Sequence, residues 1–139
     1  MADFNYQKTL EDIGNKLIDL TNDTIKVALC TAAYTAVQAT DHNLSDIPSG
    51  AIVDTVTLSG KSFTGGVFDA TDATFIGLPI GYTVTQAVIY QSLGGAPETG
   101  RLIRKISGDS YAGFPFVTGT ADVPLIWPND ANKIFSFTS

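Results

Sequence analysis

Cysteine, histidine and charge are what this chain has least of. One cysteine, Cys30, excludes an intrachain disulfide, and its place inside an apolar stretch reads as a buried core thiol. One histidine, His42, excludes a multi-histidine metal site within one chain. Charged residues make up 16% of the 139 residues, below the usual level of about 25%. Thr, Ala and Gly fill the surface instead, and a surface poor in Lys and Glu is what contact interfaces look like. The 8 basic and 14 acidic residues leave a net charge of −6, which argues against a phosphate backbone as partner. No apolar run approaches about 18 residues, and no signal-like apolar core follows Met1-Ala2-Asp3. The chain is therefore expected to be cytosolic when made, neither secreted nor membrane-bound.

What is present is one domain's worth of sequence, 44% hydrophobic and able to fold without staples. The clearest element is TIKVALCT at 24–31. Ile25, Val27 and Leu29 alternate with Thr24, Lys26 and Ala28, which puts three branched residues on one face of a strand. Ahead of it, Tyr6, Leu10, Ile13, Leu17 and Leu20 recur at spacings of three and four, which predicts a helix over 6–19 with one apolar stripe. Residues 1–5 read as a flexible polar arm. Residues 32–50 read as a long loop that is either a binding feature or the host of a short helix. Arm and loop bury too little apolar area to order themselves, so both are expected to be mobile until bound.

From 51 onward, short strand signals alternate with Gly, Asp and Pro: 51–58, 61–63, 67–71, 74–77, 82–90, 101–107, 121–127 and 133–138. Residues 84–90 are apolar on both faces and read as a central strand. Pro124 marks 121–127 as an edge strand or a bulge. The whole predicts a single all-β domain over 1–139, with a β-sandwich spanning 24–138 and a short N-terminal helix.

Catalytic signatures are weak. SGKS at 59–62 resembles the end of a phosphate loop, but position 55 is Thr where that loop needs Gly, so a hairpin turn is the better reading. Asp69 and Asp72 lack the distal Glu of a calcium loop and read as solvated turn carboxylates. His42 has Asp41, Ser45 and Asp46 near it, but no Gly-x-Ser-x-Gly elbow exists to present a nucleophile. No cofactor, no metal and no enzymatic activity are expected.

Contact residues are easier to nominate. Arg101, Arg104 and Lys105 form the one basic cluster, and a regular strand would put Arg101 and Lys105 on one face and Arg104 on the other. They read as a solvated face or as a patch that meets an acidic neighbour. Trp127, Phe114 and Phe116 read as core or as anchors of an interface. Trp127 or Tyr111 in a concave loop site would favour a sugar-binding sandwich instead.

The order of landmarks resembles one family. It runs from Asn22 to Tyr34, through Asp41 to Ile47, to Ala87–Tyr90, Leu102-Ile103, Ile126-Trp127 and Ile134 to Phe137, covering nearly the whole chain. This resembles the cement, or decoration, proteins of tailed bacteriophages. One departure is GAIVDT at 50–55, where many relatives carry a Gly-Tyr pair. The resemblance implies a jelly-roll-like β-sandwich and a virion protein on the outer surface of the capsid. It implies the major capsid protein as partner. Low charge density and the edge-like strand at 121–127 predict a self-contact and a homo-oligomer, a dimer by the commonest symmetry. Neither nucleic acid nor membrane is implied. The alternatives are a tail or head–tail connector protein and a carbohydrate-binding sandwich.

Overall fold

A computed structural model describes residues 3–95, 97–107, 113–127 and 134–136. The chain is mostly β-strand with one short helix. Its largest sheet has five antiparallel strands in the order β1 (Phe4–Asn5), β9 (Thr99–Ile106), β8 (Gln86–Gly94), β2 (Ile25–Cys30) and β3 (Ile52–Thr57). The smaller sheets are β4 (Ser62–Thr64) and β12 (Phe135–Ser136) flanking β5 (Val67–Asp69), β6 (Ala73–Phe75) with β11 (Val123–Leu125), and β7 (Thr83–Val84) with β10 (Phe116–Val117). Among the described residues, no helix is long and apolar enough to cross a membrane.

Period two on β2 sets the two cores. Ile25, Val27 and Leu29 enter a cluster with Ala87 and Ile89 of β8, and this cluster also takes in Phe68, Phe75, Leu125 and Phe135 of the smaller sheets. Ala28 and Cys30 face the other way, into a second cluster with Tyr6, Tyr34, Val88 and Tyr90. β8 lies between β2 and β9 with both faces buried, as its sequence predicts. Pro124 tolerates its place because β11 pairs with β6 alone among the described residues. Ser59-Gly60 turns between β3 and β4, Gly60 taking φ 60°, and no helix follows.

The N-terminal region departs from expectation in three ways. The helix, α1 (Gln7–Gly14), stops well short of residue 19, and Lys16 takes φ 64° just beyond it. The apolar stripe is only part of its inward face: Ile13 packs against the first cluster, but Leu10 is 55% exposed, while Thr9 and Asp12 are buried. Thr9 Oγ1 donates to the carbonyls of Leu102 and Ile103 at 2.9 and 3.0 Å, so hydrogen bonds to β9 set the helix's orientation. The expected arm is in part β1, whose Phe4 and Asn5 pair with Lys105 and Arg104. A helix docked this way carries a clear signature. Thr9→Val should cost about 1–3 kcal/mol in denaturant titration by removing the buried hydroxyl donor from the Leu102 and Ile103 carbonyls, and Leu10→Ala less than about 0.5 kcal/mol. Equal losses would restore the apolar-stripe reading.

The 32–50 loop has partners of its own within the fold. It holds two 3₁₀ turns, Leu44–Asp46 and Ser49–Ala51. Asp41 Oδ2 accepts from Tyr34 OH at 2.8 Å and from the Val37 amide at 2.9 Å, while Asp46 Oδ2 accepts from the His42 and Asn43 amides. Leu44, Ile47 and Ala51 bury against the second cluster, which gives the segment the apolar anchorage that its polar composition hides.

Candidate functional site

The nominated basic cluster does not form one patch. Arg104 opposes Ile89 on β8 and Leu102 opposes Tyr90, so Ile103 is an extra residue, a β-bulge. The bulge shifts parity. Arg101 opposite Gln91 and Arg104 opposite Ile89 share one side, and Lys105 opposite Val88 takes the other. Arg101 Nη1 donates to Gln91 Oε1 at 3.0 Å, and Arg104 Nη1 donates to Asn5 Oδ1 at 2.8 Å. Lys105 is only 2% exposed, its ammonium 4.9 Å from the Phe4 ring centroid. Burial pulls that ammonium below its usual pKa, against the opposing charge of Asp3.

The nominated aromatics lie mostly inside. Trp127 and Phe114 are buried members of the first cluster, so neither anchors a contact while the domain is folded. The Trp127 amide donates to Asp72 Oδ1 at 2.9 Å and its indole Nε1 to Thr71 O at 3.3 Å, which gives Asp72 a structural task. Phe116 stacks on Phe114 at 5.8 Å and stays half-buried. A sugar platform on Trp127 is therefore unsupported, and Tyr111 lies outside the described residues.

His42 has a partner that sequence proximity hides. Its Nε2 lies 2.7 Å from Oδ2 of buried Asp12 on α1, thirty positions away. Neighbouring Asp41 and Asp46 are engaged with Tyr34 and local amides, as described above. The set ties α1 to the loop rather than activating a serine. Among the described residues, no group of three metal-ligating side chains comes together.

Glu98 is a second residue that no motif marks. It lies in the wall of a 580 Å³ cleft with Leu44, Ile47, Pro48, Ile52 and Tyr90. Burial alone would raise its pKa. Hydrogen bonds from Lys26 Nζ at 2.8 Å, from Ser92 Oγ and from Tyr90 OH at 3.1 Å outweigh burial, and the carboxyl stays below its usual value. An ionised carboxylate with three donors joins β2, β8 and the start of β9. It is poorly suited to donate a proton near neutral pH.

The most distinctive surface lies along 76–82 and β10. Ile76, Ile80 and Val117 are 71%, 67% and 66% exposed, and Tyr82 is also exposed. The Tyr82 amide donates to Thr118 Oγ1 at 2.9 Å and the Thr118 amide to Tyr82 O at 2.8 Å, which brings Tyr82 beside Val117. No charged residue occurs from 73 to 97 or from 113 to 121. Large apolar side chains grouped on a charge-free stretch mark a contact surface. Exposed valine, isoleucine and tyrosine are individually ordinary, so only the fold's pairing of 81–84 with 116–118 brings Tyr82 and Val117 together. No family model, curated protein or solved structure matches the chain.

Proposed function

We propose that this protein is a capsid cement, or decoration, protein of a tailed bacteriophage. It binds the outside of the head and clamps neighbouring major capsid subunits, as a homo-oligomer built on a jelly-roll-like β-sandwich. The observation that carries this reading is the set of exposed apolar residues Ile76, Ile80, Tyr82 and Val117, on segments that themselves carry no charge, in a chain of net charge −6. The ordered run of family-like landmarks supports it. So does the first cluster, which joins the large sheet to the smaller ones as a sandwich core would. A clamp raises the cost of separating subunits because its binding energy is lost when they part. Two contacts on one rigid body also act at high effective concentration.

Capsids lacking the protein should assemble and then rupture at lower temperature, or under milder osmotic shock, than capsids that carry it. Ile80→Asp should weaken capsid binding at least about tenfold while changing monomer stability by less than about 0.5 kcal/mol. The reading fails if bare capsids are equally resistant, or if immunolabelling finds the protein only in the tail. That second result would favour a tail or connector role.

A further inference from the structure

Asp3–Asn5 covers the outer edge of β9 where its two adjacent cations lie. Phe4 and Asn5 oppose Lys105 and Arg104 in register, with the ring against the Lys105 ammonium and the Asn5 amide oxygen on the Arg104 guanidinium. One position earlier, Asp3 Oδ1 accepts the Ser107 amide at 2.7 Å. Lys105 is nearly fully covered, yet no carboxylate lies within 4.0 Å of its ammonium among the described residues. Asp3 supplies the opposing charge that acts on this ammonium.

The cover has a sharp boundary. Asp3, Phe4 and Asn5 are half-buried, whereas Tyr6 is fully buried. The Tyr6 amide donates to Ile103 O at 3.1 Å and its hydroxyl shares a 2.7 Å hydrogen bond with Tyr34. Tyr6 is therefore the fixed end, and the segment before it hangs on a two-residue ladder, a marginal length for a strand. Further along the same edge, the Leu102 amide donates to His42 O at 2.8 Å and Arg101 bridges Asn43. The loop thus seals that part of β9, and only Arg104–Ser107 depends on β1 for its cover.

We propose that β1 is a displaceable strap. With it lifted, the Arg104–Ser107 edge of β9 takes an extended segment of another polypeptide that carries a carboxylate at the place of Asp3 and an aromatic residue after it. Strand addition supplies the backbone hydrogen bonds, and the two cations select an acidic segment over a basic one. The slot is short, so binding is weak alone and gains strength where a larger contact holds the segment nearby. The edge takes such a segment whatever the larger assembly is.

The test uses the full-length protein and two acetylated peptides, one copying residues 3–6 and one with lysine in place of the aspartate. Titration followed by amide NMR should shift Lys105 and Ser107 with the acidic peptide and leave them in place with the lysine peptide. Phe4→Ala weakens the resident strap and should tighten acidic-peptide binding about tenfold. Unchanged β8 amide shifts and protection control for folding. Asp3→Asn should act in the same direction, and it carries the test if Phe4→Ala disturbs β8. The proposal is overturned if neither variant shows shifts at Lys105 and Ser107 at millimolar peptide, or if the lysine peptide binds as well as the acidic one.

Discussion

Raising the pH beyond about 10 should unfold this protein abruptly. Four weak acids share the second cluster: Cys30, Tyr6, Tyr34 and Tyr90. Burial pushes the Cys30 thiol from its usual 9.0 up to about 12. Burial is also the main cause that lifts each of the three phenols above the usual 10.0, with Tyr6 adding to the rise at Tyr34 and Glu98 to that at Tyr90. The sign follows directly. Above the ordinary values the unfolded chain releases these protons and the folded chain keeps them, so stability is intact at neutral pH and falls as pH rises. Each retained proton removes about 1.4 kcal/mol per pH unit, and four together remove on the order of 5 kcal/mol per unit. Against a typical stability of about 5–15 kcal/mol, that exhausts the fold within a few units. Denaturant titrations at stepped pH should show the slope, and Tyr34→Phe should reduce it by about one proton. Tyrosinate absorbance should appear together with unfolding. Ionisation of all five tyrosines in a still-folded protein would defeat the expectation.

Leu29→Ala should be the most damaging single truncation on β2, at about 2–5 kcal/mol. Leu29 is fully buried in the first cluster, on a strand paired on both sides, with Ala87 and Asp54 opposite it. Little can move in to fill the void. A loss below about 1 kcal/mol would place Leu29 outside a close-packed core.

Some of this architecture is legible in the residues. β2 and β8 announce themselves because alternation on one and continuous apolarity on the other are properties of the strand alone. Pro124 marks an edge for the same local reason. The misread elements depend on distant partners. Nothing near Thr9 or Asp12 shows that carbonyls of β9 and the imidazole of His42 wait for them, so hydropathy placed Ile13 inward but misplaced Leu10 and missed the polar part of that face. The bulge at Ile103 is set by the register against β8, and without it Arg101 and Lys105 would share a face. β1 is too short to carry a period at all. The apolar contact surface is assembled from two stretches more than thirty residues apart, and neither stretch stands out by itself.

The placement of Trp127 has an optical consequence. It is the only tryptophan in the chain and sits in the first cluster, hydrogen-bonded through its indole and closed off from water. Its emission therefore reports on the layer beneath the small sheets and is blind to the opposite face, where Tyr6, Tyr34 and Tyr90 lie. Comparing its red shift with the amide protection of Ala28 and Val88 would separate a domain that melts as one body from one whose two layers come apart in sequence.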